Sequence, residues 1–418
     1  MNLNYYKKIK RSKDAKTVTE NAGYLMLIQI SGYFFPLLTM PYLARVIGPE
    51  GFGKISFASA TILWFITVVD WGFNFTATRD VAQNRDDKEK VSQIFSSVLW
   101  ARCILCLISF LVLCLMILTI PLFRENKDIL LVTFLMIPGH LLFPGWFFQA
   151  IERMKFTSFF SLAIKFLFTI AVFAFVKKSD DFILQPLFTT IGFILCGFIS
   201  MYLILWKWNY HLYRPQWKLI WETIKNSSDV FVNNLMPNLY NSLSVVLLGF
   251  WGGTVANGIY DGGSRFVSVI RHFQQVLSRA FYPFLARRGD KHDVFVKINM
   301  GLGVLLCLAL FVFAPLIVDL MLAQKFAKSV IVLQILSFSI IGLALNNTYG
   351  TNFLIVRHHE HILRKITVRT SVIGLAMAIP LVYYYSYIGA AIVITFTRLF
   401  MGIQTCYSAV KIKKTNEI

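Results

Sequence analysis

The chain has 418 residues and a formal net charge of +20; 56 % of its residues are hydrophobic and only 15 % are Asp, Glu, Lys or Arg. A helix that crosses a bilayer needs about 20 apolar residues, and the sequence contains about twelve runs of that length. This composition excludes a soluble protein. The runs are also too long and too uniformly apolar for the alternating strands of a membrane barrel.

In chain order, the apolar runs predict an all-α integral membrane protein with about 12 transmembrane helices in two six-helix lobes. Because each lobe contains six helices, both lobes enter the bilayer in the same direction. The predicted repeat is therefore parallel, with a pseudo-two-fold axis along the membrane normal. The predicted spans are 20–43, 56–77, 97–121, 129–150, 157–177, 182–206, 229–250, 256–280, 299–322, 330–355, 367–385 and 388–409.

The spans and loops divide the chain into five predicted parts. Gly48 and Gly53, between spans one and two, match Gly253 and Gly258, between spans seven and eight, at an offset of 205 positions. These glycines support the repeat and predict a tight reversal in each linker. The parts are a cytoplasmic basic N-terminal segment at 1–19, an N-lobe at 20–206 (helices 1–6), a cytoplasmic inter-lobe loop at 207–228, a C-lobe at 229–410 (helices 7–12) and a cytoplasmic tail at 411–418.

Most of the positive charge falls on one side of the predicted bilayer. Of the 41 Lys and Arg residues, 28 lie in the loops and termini on the side of the N-terminus, and eight lie in the opposite loops. Because loops rich in Lys and Arg stay in the cytoplasm, we predict that both termini are cytoplasmic. Membrane orientation explains the net charge, and we predict no nucleic-acid partner.

Polar side chains follow one face of the predicted spans two and eight, and lipid could not face them. We therefore expect the two polar ridges to oppose each other across a central cavity. The alternative is that span eight is an amphipathic helix on the membrane surface. The ridges consist of Ser56, Ser59, Thr67, Asp70 and Asn74 in span two, and of Asp261, Arg265, Ser268, His272, Gln275 and Arg279 in span eight.

Two carboxylates in these ridges are candidate ion-coupling groups. Asp261 lies four residues before Arg265, where the two can also pair on one helical turn for purely structural reasons. Asp70 has no cation near it in the sequence. It either pairs with a basic group of another helix or binds a proton for part of the time.

The predicted spans contain more cations than anions, which suits an anionic cargo because guanidinium groups pair with phosphate oxygens through two parallel hydrogen bonds. Arg102 can equally serve at the membrane interface, and Lys165 can reach the surface by snorkelling. Asn238 can hold helices together or bind sugar hydroxyls. The predicted substrate-binding residues are Arg265, Arg271, Arg398, His272, Gln275, Asn74 and Asn238.

We predict neither a cofactor nor a metal site. The run His358-His359-Glu360-His361 contains metal-ligating residue types, but it lies in a short loop among basic residues and is interpreted as interfacial charge. We also expect no enzymatic activity, because the outer loops are short and contain no pair of carboxylates that could bind a metal.

The N-terminal half contains several distinctive motifs. The most specific is PYLARVIGPEGFG at 41–53, and shorter ones are NAGYL at 21–25, WGF at 71–73, TRD at 78–80 and WFFQAIERMK at 146–155. Together they resemble the polysaccharide-biosynthesis flippases. These are the O-antigen repeat-unit translocases of the multidrug/oligosaccharidyl-lipid/polysaccharide exporter superfamily.

The resemblance implies a two-lobed fold of twelve helices that opens alternately to each side of a bacterial inner membrane. It also implies an oligosaccharide cargo linked through pyrophosphate to undecaprenol, contact with membrane lipids, coupling to H+ or Na+, and polysaccharide polymerase or chain-length proteins as partners. We therefore predict a flippase that moves this cargo from the inner to the outer leaflet through a cationic central cavity. The alternatives are a drug/cation antiporter of the same fold, which a cationic cavity disfavours, and a membrane polymerase or ligase acting on lipid-linked sugars.

Overall fold

The computed structural model describes residues 13–287, 292–357 and 359–416. Within these ranges every regular element is helical, which confirms the all-α prediction. Most of the predicted N-terminal segment, the end of the tail and His358 lie outside the described residues.

The described residues form fifteen α-helices and five short 3-10 or π-helical stretches. The α-helices are α1 Lys13–Asp70, α2 Phe73–Gln83, α3 Lys88–Thr119, α4 Pro121–Glu125, α5 Lys127–Phe134, α6 Met136–Leu142, α7 Gly145–Ala150, α8 Met154–Phe175, α9 Leu184–Tyr202, α10 Trp217–Leu235, α11 Ser242–Arg287, α12 His292–Leu322, α13 Ser329–Ser337, α14 Ser339–Leu345 and α15 Glu360–Asn416. The other stretches are Ser179–Ile183, Leu203–Lys207, Met236–Leu239, Gln324–Phe326 and Asn346–Ile355.

Nine helical segments of the described chain are long and apolar enough to cross a membrane, judged by length and composition. Three of them are 44 to 54 residues long, about twice the length that one span needs. Each is broken between two of the predicted spans by a residue with non-helical backbone angles, at Gly48, Gly253 and Ser386. All three breaks fall in predicted linkers. The count of twelve, which treats each long segment as two spans, stays a prediction.

The chain folds into two compact units, and each unit has its own core. Unit 1 consists of Met1–Tyr42, Phe65–Lys177 and Asp181–Val232, and unit 2 of Leu43–Trp64, Lys178–Asp180 and Asn233–Ile418. In unit 1, α9 packs closely on α6 and α8. In unit 2, α11 packs along α15, and α12 packs along α13.

In unit 1, two predicted spans are less regular than expected. The predicted span 56–77 is interrupted after Asp70, because Trp71 and Gly72 have left-handed φ angles of 41° and 83°. Trp71 is held there by stacking on Phe231, with ring centroids 4.0 Å apart, and by donating a hydrogen bond to the Ile224 carbonyl at 3.0 Å. The predicted span 129–150 is split into α5, α6 and α7.

Part of the region predicted as the inter-lobe loop is helical, because α10 begins at Trp217. This helix buries Ile220 and Ser227 while its Trp217 and Trp221 side chains are 73 % and 67 % exposed. Exposed indole rings on one face of an amphipathic helix are typical of a position at the membrane interface. This helix begins before the predicted span 229–250, and Met236–Leu239 interrupts that span.

A reciprocal glycine contact in unit 2 supports the internal repeat. A Cβ atom placed on Gly53 would overlap the Thr254 carbonyl oxygen, and one placed on Gly258 would overlap the Pro49 carbonyl oxygen. The offset of 205 that relates Gly53 to Gly258 also relates Pro49 to Thr254. Two equivalent elements that meet on a two-fold axis make this kind of mutual contact. Only glycine permits the backbones to approach so closely.

Candidate functional site

A polar cavity of about 470 Å³ lies in unit 2. Its wall includes Ser56 and Ser59 of α1 and Ser268 of α11, so the start of the span-two ridge and the first half of the span-eight ridge face one space. Five of the nine predicted site residues also line this cavity; they are Asn238, Asp261, Arg265, Arg271 and Arg398.

Arg265 is fixed in the cavity wall by two neighbours. Its Nε and Nη2 atoms each lie 2.7 Å from Oδ2 of Asp261, one turn earlier on α11. Its guanidinium carbon also lies 4.9 Å from the ring centroid of Phe52, in a cation–π position. The side chain is still 33 % exposed, so the guanidinium can contact a molecule in the cavity.

Arg398 of α15 is held by neutral partners. Its Nη1 donates to Ser339 Oγ at 3.2 Å, and its Nη2 donates to Asn241 Oδ1 at 3.3 Å. Neither partner carries a charge, so both leave the positive charge of this buried side chain available to an anion.

Arg271, His272 and Gln275 form a chain along α11. Nη2 of Arg271 lies 3.3 Å from Nε2 of His272, and Nδ1 of His272 lies 3.1 Å from Oε1 of Gln275. Arg271 lines the cavity, whereas His272 and Gln275 do not. His272 and Gln275 therefore act on the cavity indirectly: His272 contacts the Arg271 side chain, and Gln275 contacts His272.

Three polar residues of the wall, Ser242, Tyr260 and Ser264, were not predicted. Ser264 could have been found, because it lies three residues after Asp261 and shares its face of the helix. Tyr260 is 4 % exposed in total, and its apolar ring gave no sequence signal for a polar wall. Ser242 begins α11 just after the Pro237 break, which periodicity does not predict.

The cavity wall is cationic. Among the described residues that line it, the charged side chains are three arginines and one aspartate, a net charge of +2. The remaining polar wall consists of neutral hydroxyl and amide groups. Such a wall suits a molecule that combines about two negative charges with many hydroxyl groups.

The other predicted acidic site lies in unit 1 and has a different environment. Asp70 Oδ1 lies 2.6 Å from Nη2 of Arg102, whose side chain is 2 % exposed. His140 Nδ1 lies 3.3 Å from the same Nη2 and 3.9 Å from Asp70 Oδ1. Asn74 donates to Asp70 Oδ2 at 3.3 Å. Asp70 thus pairs with a basic group of another helix, and Arg102 is buried within the protein.

Asp70 and Asn74 are not among the lining residues of the unit 2 cavity. No group of three or more His, Cys, Asp or Glu side chains in the described part of the chain could hold a metal ion. The rings of His359 and His361 lie 6.1 Å apart, and His358, the other histidine of that run, is outside the described residues.

The fold defines the class of protein. It superposes on a solved structure of the lipid II flippase MurJ in an inward closed conformation with a TM-score of 0.74 and 14 % identity, covering 94 % of this chain and 87 % of that one. It also matches an inward-facing multidrug resistance MATE family transporter of the MOP superfamily, with a TM-score of 0.64, 14 % identity and coverage of 91 % and 95 %. The chain is a multi-pass membrane protein with the fold of these transporters.

The sequence comparisons define the family. Residues 18–288 match the model of the family described as polysaccharide biosynthesis protein, and the chain belongs to this family. A protein of Escherichia coli (strain K12) named "Putative O-antigen transporter" is 27 % identical over 390 residues, or 91 % of this chain and 94 % of that protein. A protein of Shigella dysenteriae with the same name is 25 % identical over 388 residues, or 91 % and 97 %.

Proposed function

We propose that this protein is a flippase for lipid-linked oligosaccharides. The cargo is an oligosaccharide repeat unit joined through pyrophosphate to undecaprenol, and it moves from the inner to the outer leaflet by alternating access. The observation that carries the proposal is a cavity with a net charge of +2 inside a membrane protein of a polysaccharide-biosynthesis family. The names of the relatives, an O-antigen transporter and a lipid II flippase, point in the same direction.

The charge of the cavity suits a pyrophosphate diester, which carries two negative charges near neutral pH. Asp261 balances the charge of Arg265, so the net charge equals that of Arg271 and Arg398. A guanidinium presents a planar fork of N–H donors that matches phosphate oxygens. Arg271 and Arg398 would bind the pyrophosphate oxygens. Arg265 would contact the sugar or the second of the two phosphate groups.

The neutral wall suits the sugars. Serine hydroxyls and asparagine amides both donate and accept hydrogen bonds, so they can adapt to sugar hydroxyl groups of different arrangement. Ser59, Ser268 and Asn238 offer such groups on several sides of the cavity.

The membrane potential would drive the export of this cargo. Moving one charge through 100 mV changes its free energy by about 2.3 kcal/mol. The export of two negative charges from an inside-negative cell would therefore lower the free energy of the cargo by about 5 kcal/mol. The empty carrier would then have to return, and H+ or Na+ is the coupling ion that we propose. Asp70 and Asp261 are the candidate groups. Each is paired with an arginine at 2.6 to 2.7 Å, so ion binding there would compete with the guanidinium group.

We place the protein in the bacterial inner membrane with both termini in the cytoplasm, working with polysaccharide polymerase or chain-length proteins and without enzymatic activity of its own. The positive wall disfavours the alternative of a drug/cation antiporter. A cationic drug would be repelled by a site with a net charge of +2.

The proposal is tested with purified protein in liposomes that contain an undecaprenyl-pyrophosphate-linked oligosaccharide. Flipping is followed by the accessibility of the sugar to an external glycosidase. Arg271→Gln and Arg398→Gln should each slow flipping at least about tenfold, because one lost charge-assisted hydrogen bond is worth about 1.5–3 kcal/mol. Arg279→Gln is the matched control, since Arg279 lies on the same helix α11 but is exposed and does not line the cavity.

Two outcomes would count against the proposal. One is wild-type flipping in both cavity variants, which would remove the arginines from the cargo site. The other is an unchanged wild-type rate after the membrane potential is collapsed with valinomycin and potassium. That result would show that the potential does not drive export.

A further inference from the structure

A histidine lies beside the buried ion pair of unit 1 and was not among the predicted site residues. Nδ1 of His140, on α6, is 3.3 Å from Arg102 Nη2 and 3.9 Å from Asp70 Oδ1. The His140 side chain is 37 % exposed, compared with 18 % for Asp70 and 2 % for Arg102. His140 is therefore the most accessible of the three ionisable groups in this cluster.

Close packing of the backbone fixes the position of this histidine. The short helix α6 packs closely on α9. A Cβ atom placed on Gly139, the residue before His140, would overlap Phe193 of α9. Glycine at this position lets the two helices approach each other closely. The His140 ring then lies against the Phe193 ring, with their centroids 5.7 Å apart.

The contact with Arg102 indicates which ring nitrogen is free to bind a proton. A guanidinium group donates hydrogen bonds and cannot accept them, so Nδ1 of His140 is the acceptor in this contact. Nδ1 therefore carries no hydrogen atom, and in the neutral ring the hydrogen is on Nε2. A proton that binds to this ring binds at Nδ1, on the side of Asp70 and Arg102.

Two charged side chains act on His140, and they act in opposite directions. The Asp70 carboxylate favours a positive charge on the ring, and the Arg102 guanidinium opposes it. The other groups around the cluster are neutral. Asn74 of α2 donates to Asp70 Oδ2 at 3.3 Å, and α9 presents the apolar Phe193 ring to His140.

A proton on Nδ1 would change the pairing within the cluster. The nitrogen could no longer accept a hydrogen bond from Arg102, and it would become a donor that faces Asp70. Charged N–H groups and carboxylate oxygens pair at about 2.7–2.9 Å. A movement of about 1 Å would bring Nδ1 of His140 from the observed 3.9 Å to that distance. Asp70 Oδ1 already accepts from Arg102, so two cations would compete for one carboxylate.

His140 is a better acceptor for a coupling proton than Asp70 itself. A proton that binds to Asp70 must compete with a guanidinium nitrogen at 2.6 Å. The lone pair of His140 Nδ1 is engaged only by a longer contact of 3.3 Å, and the ion pair does not have to break before the proton binds. Histidine is also the side chain whose charge ordinarily changes between about pH 5 and pH 8.

We propose that Nδ1 of His140 binds the coupling proton of the transport cycle, and that this binding exchanges the Asp70–Arg102 ion pair for an Asp70–His140 pair. The inference rests on the proposed function and names H+ as the coupling ion. The proton comes from water on the outer side and returns to water on the inner side. Its entry with the empty carrier moves a positive charge inward, which an inside-negative potential favours. Asp70 is the partner of the proton-binding group and not the group itself.

The protonation of His140 can be measured on the wild-type protein without a transport assay. The chain contains seven histidines, and NMR of protein with isotope-labelled histidine in nanodiscs distinguishes neutral rings from charged ones. The signal that disappears in His140→Asn belongs to His140. It should change from the neutral form with hydrogen on Nε2 to the charged form between about pH 8 and pH 5. A ring that stays neutral over this whole range would overturn the proposal.

The role of the proton is tested in the liposome assay for flipping. A pH gradient that drives protons against the direction of the cargo should accelerate the wild-type protein, by up to about tenfold per pH unit for one proton. In His140→Asn, the ratio of the rates with and without the gradient should fall to one. The Oδ1 atom of Asn lies two bonds from Cβ, as Nδ1 of His does, so it can accept from Arg102 but does not take up a proton in this pH range.

His292→Gln is the matched control. His292 is also a helical histidine with a hydrogen bond, but it lies in unit 2, where its Nε2 is 3.1 Å from the Thr348 carbonyl oxygen. This variant should keep the wild-type ratio. A wild-type ratio in His140→Asn would show that the histidine only positions Arg102, and it would overturn the proposal. Loss of the response in both variants would overturn it as well, because the effect would not be specific to His140.

The two proposals fail separately. If the wild-type protein flips the cargo at the same rate with and without the pH gradient, the proton assignment is wrong and the flippase function stands. If the wild-type protein does not flip the cargo under any gradient, the proposed function itself is wrong, whatever the histidine spectrum shows.

Discussion

The polar cavity of unit 2 and the charged cluster of unit 1 are built from the same kinds of residues, yet they are suited to different tasks. Each contains an aspartate–arginine pair at 2.6 to 2.7 Å. In unit 1 the arginine, Arg102, is 2 % exposed, whereas in unit 2 Arg265 is 33 % exposed and faces about 470 Å³ of space. An intramembrane ion pair is therefore available to a ligand only where the packing leaves room beside it.

The surroundings of the two pairs also differ. Around Asp70, the Arg102, His140 and Asn74 side chains all lie within 4 Å, so the carboxylate has protein partners on several sides. Around Arg265, the ring of Phe52 and the carboxylate of Asp261 occupy one side and leave the other toward the cavity. The first arrangement encloses the carboxylate among protein partners, and the second leaves the guanidinium open to the cavity.

The largest expected difference is in stability. Arg102→Ala should lower the free energy of unfolding by about 3–5 kcal/mol, because it leaves the Asp70 carboxylate without its buried cation. Arg265→Ala should cost about 0.5 kcal/mol, as for other partly exposed pairs four residues apart on a helix. Thermal unfolding in detergent at one scan rate measures the comparison. Equal shifts in the two variants would show that both pairs are structural.

A second difference is access to water. Ser59→Cys and Ser268→Cys, in a background without the six native cysteines, should react with a water-soluble thiol reagent in at least one state of the transporter. Ser109→Cys, on α3 of unit 1, should not react, because Ser109 is 2 % exposed. If the two cavity positions stay unreactive with and without cargo, no aqueous passage runs along α11 and the carrier mechanism is excluded.

The smallest expected effect on stability comes from Asp261→Asn. It should cost less than about 0.5 kcal/mol, but it raises the net charge of the cavity wall from +2 to +3. We expect tighter binding of the cargo and a slower maximal rate of flipping, since release becomes harder. Asp293→Asn is the control, because Asp293 is 69 % exposed in its pair with Lys413 and does not line the cavity. A faster maximal rate would contradict this reading of Asp261.

Helical periodicity identified the correct face of α11 but not the extent of the site. Asp261, Arg265 and Ser268 line the cavity as expected, whereas Gln275 shares their face and does not. Gln275 lies about 6 Å further along the helix axis than Arg271, beyond the end of the cavity. The length of a cavity depends on the helices packed around it, and the pattern of one helix contains no information about them.

The partner of Asp70 could not be chosen from the sequence either. Arg102 and Lys165 both lie within predicted spans of the N-lobe, and each could have neutralised the carboxylate. The structure places Arg102 beside Asp70, while Lys165 donates to Ser31 at 3.0 Å. Hydropathy gives the depth of a charge in the membrane only approximately, and it does not give the direction in which a helix turns its face.

The sequence alone determined the class of the molecule, because its evidence is local. Runs of apolar residues specify spanning helices through the cost of placing unpaired backbone groups in lipid, and glycines specify the breaks at Gly48 and Gly253. Tertiary structure alone decided which polar groups meet, that Asp70 pairs with the buried Arg102, and that Arg398 is held by Ser339 and Asn241. These features depend on contacts between residues 30 to 160 positions apart, and such contacts are set by how helices pack, not by the pattern along any one of them.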